Sequence, residues 1–210
     1  MKNKEIVNGT HYKGLPIMKH KGPFYADYLE KLHEVTFKAL TAHPRTAAFR
    51  FDLHLPSDYY HVNRKQLICR FMDSLKGKIW HSREKAKQTH EYAHKTDVRY
   101  VWALEYNQDG KGHYHLVLFL NYDAIRGWGL FKVGRQNLFN RVLEAWHSAL
   151  GITNGSQLIW PLVHVAENGV YQLDTNAPIT VDVFFMRASY LAKVATKQGS
   201  SRHSFGGSRR

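Results

Sequence analysis

The chain has 210 residues, enough for one domain with a substantial core, and its 30 Lys/Arg against 17 Asp/Glu give a formal charge of +13. Such an excess points to a polyanionic partner, the plainer alternative being a basic surface that serves solubility alone. The single Cys69 excludes an internal disulfide and fits a reducing cytosol, no apolar run approaches membrane-spanning length, and the start MKNKEIVNG lacks the apolar core of a signal peptide.

In chain order, residues 1–22 are polar and glycine-rich and read as an irregular arm. Tyr28, Leu32, Val35 and Ala39 then recur at helical spacing, and Pro44 stops that helix. Phe51, Leu53 and Leu55 alternate with Arg50, Asp52 and His54, the pattern of a half-buried strand. A long helix is predicted from about Asn63, with Ile68, Phe71, Met72, Leu75 and Ile79 as its apolar stripe and Gly77 as a possible bend. Another follows through Leu138, Val142, Ala145, Trp146 and Ala149, closed by Gly151. Leu158 to Val165 reads as a strand, and Asn168-Gly169 as a hairpin turn returning through 170–173. A last helix is expected over 182–198, followed by a flexible basic tail. The predicted order, β-α-β-β-α-β-β-α, specifies an α+β fold with a central antiparallel sheet of about five strands and helices packed on it.

The segment that carries chemistry is Tyr100 to Asn121, a predicted hairpin around Asp109-Gly110. His113 and His115 share one face of its second strand and can hold a divalent ion between them. With 14 histidines a His-x-His pair arises readily by chance, so the acid on the partner strand, Glu105, matters. A two-residue Asp-Gly loop places Glu105 opposite Tyr114, facing away from the imidazoles. A three-residue loop, Gln108 to Gly110 with Gly110 left-handed, places it opposite His113, where it can be a third ligand. Otherwise the two histidines are merely solvated or hydrogen-bonded groups near a strand end.

Tyr190 lies off the apolar stripe of the last helix (Phe184, Ala188, Leu191, Ala195), on a face with Arg187, Lys193 and Lys197. A tyrosine flanked by cations suits attack on an anionic phosphate, given a metal that polarises the electrophile. The alternative is an ordinary tyrosine capping the core. Asp52 and His54, beside Arg50, could be ligands, DNA contacts or plain surface. His90-Glu91-Tyr92-Ala93-His94 matches the H-E-x-x-H pattern of zinc proteases, but its neighbours are polar and a strand follows almost at once.

Together, His113-x-His115 on a strand and Tyr190-x-x-Lys193 on a later helix resemble the HUH endonucleases with one catalytic tyrosine. More closely, FDLHLP (51–56), YHLVLFLN (114–121), SYLAKVATK (189–197) and RHSFGGSRR (202–210) look like the inovirus gene-two-type replication family, also called the YagK/YfjJ C-terminal family. The resemblance spans roughly residues 45–210, with Tyr114 standing where the broad class has an aliphatic residue. It implies an endonuclease domain over 23–200 between the 1–22 arm and a 201–210 tail, in the cytoplasm of a bacterial host. His113 and His115 would bind Mg²⁺ or Mn²⁺, with Glu105 added from the hairpin argument. Tyr190 would attack the scissile phosphate of single-stranded DNA at a replication origin, leaving a 5′-phosphotyrosine and a free 3′-OH for a host polymerase, with a host helicase as a further partner. Lys193 would steady the phosphate or the charge on the metal side, and Arg187, Lys197, Arg50, Asp52 and His54 would lie along the DNA. A non-catalytic DNA-binding regulator on the same fold is the alternative.

Overall fold

The computed structural model describes residues 5–56, 63–107, 110–152, 162–195 and 204–209. The N-terminal arm folds on itself through two short antiparallel ladders. β1 (Ile6–Val7) pairs with β4 (Phe24–Tyr25), and β2 (His11–Tyr12) pairs with β3 (Leu15–Pro16). Helix α1 (Ala26–Ala42) ends before Pro44, with His43 already extended as a residue preceding proline must be. Strand β5 (Arg45–His54) is followed by α2 (Arg64–Thr89), whose Asn63 side chain accepts from the Gln66 N–H at 3.2 Å and which continues unbroken through Gly77. Then come β6 (Arg99–Tyr106), β7 (Gly112–Asn121), α3 (Leu138–Leu150), β8 (Val163–Asp174), α4 (Pro178–Ala188), a 3₁₀ turn over Ser189–Ala192, and β9 (Phe205–Gly207).

The main sheet runs β8-β5-β7-β6-β9, and every neighbouring pair is antiparallel. Strand alternation divides its side chains between two cores. Phe49, Phe51, Leu53, Tyr114, Leu116 and Leu118 pack beneath α2 and α3 with Phe71, Leu75, Val142 and Trp146. Ala48, Val101, Ala103, Val117 and Phe119 face the other way, against α1 and α4 with Leu29, Leu32, Val35, Phe184 and Leu191. The α+β class with five antiparallel strands and packed helices is therefore as the sequence predicts.

Four local expectations are corrected. Asn168-Gly169 is no hairpin turn, because β8 is one strand along β5, pairing Val165 with Phe51 and then Val170 with Phe49 across an outward bulge. A Cβ on Gly169 would lie 2.6 Å from the Ala166 carbonyl oxygen and 2.7 Å from that of Arg50, so the glycine admits a close backbone approach. The last helix starts earlier, with Pro178 in its first turn, and ends earlier. Ser189 accepts from the Met18 N–H at 3.0 Å, Phe24 bridges Lys193, and Val194 N–H donates to the Pro23 carbonyl at 2.8 Å. The arm thus draws the chain out of helical geometry just at Tyr190, and 1–22 is ordered structure where it is described. The tail is likewise tied down over 204–209. Phe205 stacks on Tyr28 at 4.2 Å, and Ser208 N–H donates to the Tyr100 carbonyl at 2.9 Å, making β9 a sheet edge.

Candidate metal centre and nucleophile

At the end of the sheet, the face toward α4 changes from apolar to polar. Its outer rung across the strands is Glu105–His113–His54, and the next is Ala103–His115–Asp52–His164. The register Glu105↔His113 is the one that the odd-length loop requires. Asn107 N–H donates to the Lys111 carbonyl at 2.9 Å, and Gly110 sits at φ +74°. Gln108 and Asp109 themselves lie outside the described residues.

The two imidazoles converge, with His113 Nε2 and His115 Nε2 3.0 Å apart and Glu105 Oε2 3.3 Å from His115 Nε2. One ligand atom from each of the three residues lies within 4.8 Å of the other two. Octahedral coordination at about 2.1 Å sets neighbouring ligands roughly 3.0 Å apart, so the donor set fits a small divalent ion. His115 Nδ1 donates to Asp52 Oδ1 at 2.6 Å, which commits Nδ1 to the carboxylate and leaves Nε2, facing His113 and Glu105, as the nitrogen that a metal would take. His164 Nδ1 stands 3.7 Å from the other Asp52 oxygen. His54 stacks on His113 at 5.5 Å. His113 Nδ1 is buried with no hydrogen-bond partner among the described residues.

The two imidazoles titrate in opposite directions. Burial and the neighbouring His115 push His113 down to about 4. Burial also opposes the His115 imidazolium, but its hydrogen bonds to Asp52 and Glu105 outweigh that and hold its pKa above the ordinary value. Asp52 is held low although burial opposes its charge, because the bond from His115 prevails.

Tyr190 reaches this group from the 3₁₀ turn, its ring meeting His115 edge-on at 5.7 Å between centroids. Lys193 Nζ lies 3.5 Å from the Tyr190 ring centroid and 3.1 Å from Glu105 Oε2. Lys193 and Glu105 are 5% and 2% exposed, a buried ion pair linking the tyrosine segment to the candidate ligands. The sequence pattern had set this lysine on a helix face beside the tyrosine; the structure sets it one residue beyond the 3₁₀ turn, against the carboxylate.

Other predicted residues are placed less centrally. Arg187 is exposed on α4. Arg50 shares the site's face and has Nη1 3.5 Å from the Tyr171 hydroxyl. Lys197 lies outside the described residues. Tyr114 points into the α2/α3 core and donates its hydroxyl to the Arg64 carbonyl at 2.7 Å. The H-E-x-x-H match falls beyond α2, where His90 is already extended and Tyr92 is 88% exposed, so its two histidines never share a helix face. His164 was missed by the sequence reading. Its signal was the alternation Val163-His164-Val165 inside the strand predicted over 158–165, but nothing in the sequence says that this strand pairs with β5 and sets His164 opposite Asp52.

Fold and site define an α+β protein with an imidazole–imidazole–carboxylate group on one sheet face and a tyrosine beside it. The chain belongs to the family described as YagK/YfjJ C-terminal domain, matched over residues 7–208. It is 32% identical over 196 residues to Uncharacterized protein YfjJ of Escherichia coli (strain K12), covering 87% of this chain and 93% of YfjJ. It is 30% identical over 200 residues to Uncharacterized protein YagK of the same strain, covering 88% and 93%. No solved structure matches. Among the described residues no helix is long and apolar enough to cross a membrane.

Proposed function

We propose that the protein nicks and rejoins single-stranded DNA site-specifically through a 5′-phosphotyrosine, as the HUH endonucleases that initiate rolling-circle replication of phages and mobile elements do. The observation that carries the reading is the placement of the Tyr190 ring 5.7 Å from His115, within the same cluster as Glu105 and His113. A divalent cation, Mg²⁺ or Mn²⁺, held by His113, His115 and Glu105 supplies Lewis acidity to a phosphate oxygen. Tyr190 Oη forms the new bond to phosphorus and gives its proton to solvent, while the P–O3′ bond breaks and the 3′ oxygen takes a proton from solvent. Lys193 holds Glu105 in place and adds positive charge beside the ring, where negative charge on the phosphate redistributes. Asp52 keeps His115 in its ligating tautomer. The +13 charge favours the polyanion.

The test is a covalent adduct that survives denaturation after incubation with origin-strand DNA and Mn²⁺. Tyr190→Phe keeps the ring contact with His115 and should bind DNA like the wild type yet form no adduct. An adduct with Tyr190→Phe points to another nucleophile, with Tyr171 next on the same sheet face. A wild type that cuts no strand moves the reading to a DNA-binding regulator.

A further inference from the structure

Residues 128–136, WGLFKVGRQ, connect β7 to α3 and contain four large apolar side chains. Trp128 alone turns inward, whereas Leu130 is 69%, Phe131 52% and Val133 65% exposed. The segment is nevertheless held firmly. Asn137 Nδ2 donates to the Leu130 carbonyl and Asn140 Nδ2 to the Lys132 carbonyl, both at 2.9 Å, and Gly134 N–H donates to Asn140 Oδ1 at 2.9 Å. Phe131 is braced edge-on against Phe139 at 5.0 Å. Asn140, a buried polar residue, thus fixes both arms of a loop whose apolar side chains stand in water. A preorganised apolar contact surface of this kind binds without the cost of ordering a loop.

Beside the loop a cleft of about 650 Å³ opens between α2 and α3. Lys78, His81, Lys85, Arg135 and Arg141 line it against one acid, Glu144, which is paired with Lys78 at 2.8 Å. Lys85 and Arg135 are exposed and have no ion-pair partner among the described residues. These cations cannot serve the histidine group, because α2 and α3 cover the opposite face of the sheet.

We infer that this cleft and loop form a second nucleic-acid site, which takes the backbone of duplex DNA in the cleft and sets Leu130, Phe131 and Val133 as a wedge against its bases. Apolar side chains flanked by cations unstack base steps in this way, with the phosphates held alongside. Cations ranged along the walls of a cleft, with Lys85 and Arg135 exposed, fit a strand of phosphates. The inference does not depend on the nicking chemistry.

The test is binding of the full chain to a short mixed-sequence duplex in EDTA, with 2-aminopurine reporting unstacking. Lys85→Glu with Arg135→Glu should weaken binding about tenfold or more and flatten the salt dependence by about two in log–log slope. Leu130→Ser with Phe131→Ser should abolish the fluorescence rise with a smaller loss of affinity. Lys85, Arg135 and Leu130 are exposed and Phe131 gives up only its contact with Phe139, so a cooperative melt near that of the wild type certifies the fold. Unchanged affinity and slope in the charge variant overturn the inference. Loss of co-sedimentation with anionic vesicles, with duplex binding intact, also overturns it and assigns the surface to a membrane. Because neither metal nor cleavage enters the assay, a chain that never nicks DNA leaves the inference standing, and loss of duplex binding leaves Tyr190 untouched.

Discussion

His113-x-His115 and His90-x-x-x-His94 use the same residue type, and the second sits in the better-known motif. Their surroundings separate them. The first pair is carried on a central strand with neighbours on both sides, so its spacing is rigid and its partners arrive by register: Glu105 from β6, Asp52 from β5. The second lies past the end of α2 among exposed residues, where His90 N–H still closes the helix onto the Ala86 carbonyl at 2.9 Å. A donor set becomes a candidate site when the backbone fixes the angles between donors and a further group fixes each tautomer. Sequence spacing alone does neither.

The sharpest way to break this contrast is to remove one histidine from each pair. His115→Ala should abolish saturable Mn²⁺ binding in isothermal titration calorimetry, and with it any strand cleavage, because it takes a ligand from the middle of the donor set. His94→Ala should leave both at wild-type level. The reverse result would return the protein to the metalloprotease reading.

Asp52→Asn tests the group behind the ligand. The amide can still accept from His115 Nδ1 but no longer supplies the charge that raises its basicity. Mn²⁺ affinity should fall about 10- to 100-fold, the usual cost of losing such a partner. Glu91→Gln, the acid of the other motif, should change nothing. An Asp52→Asn protein with wild-type affinity would show that His115 is oriented by packing alone.

Acidity probes the same arrangement less drastically. Ion and proton compete for His115, so Mn²⁺ affinity should be complete above its raised pKa and fall about tenfold per pH unit as pH drops through it. His113 adds a second proton only near its value of about 4. For the metal-free fold the two oppose each other. The raised pKa of His115 gives stability that is present below its unfolded pKa and lost as pH rises through the folded one. The depressed pKa of His113 makes the fold gain stability as pH rises from about 4 toward the ordinary imidazole range. A titration with a single proton step of ordinary midpoint would contradict the geometry around Asp52.

What the sequence made legible was periodic. The alternation in β5 put Asp52 with His54 and that in β7 put His113 with His115, the β5–β7 register made the two faces one, and the α2 and α3 stripes named the residues of the core on the opposite face. Glu105 was legible only as a condition, since one residue in the loop decides its face, and the register had to settle it. The Lys193–Glu105 pair was not legible, because it depends on the arm pulling Ser189–Lys193 out of helical geometry, a long-range event without local periodicity. Arm and tail read as loose because their polar and glycine-rich sequences contain no stripe; Ile17 and Phe205 do the packing one residue at a time.

Two glycines measure the same distance between motif and context on the scale of stability. Gly77, read as a bend, lies inside an unbroken helix where an added Cβ meets nothing within 4 Å. Gly77→Ala should therefore stabilise the protein by about 0.5–1 kcal/mol, the difference in helix propensity. Gly169, read as half of a hairpin turn, lies in the β8 bulge with two carbonyl oxygens closer than any Cβ tolerates. Neither oxygen can swing aside like a side chain, so Gly169→Ala must shift the backbone and should destabilise by about 1–3 kcal/mol. Urea unfolding of both variants checks the signs. Because Arg50 lies opposite the bulge on β5, two residues from Asp52, the Gly169→Ala shift should also weaken Mn²⁺ binding slightly, whereas Gly77→Ala should not alter it. A Gly169→Ala protein as stable as the wild type would show that the Ala166 and Arg50 carbonyls do not crowd this position.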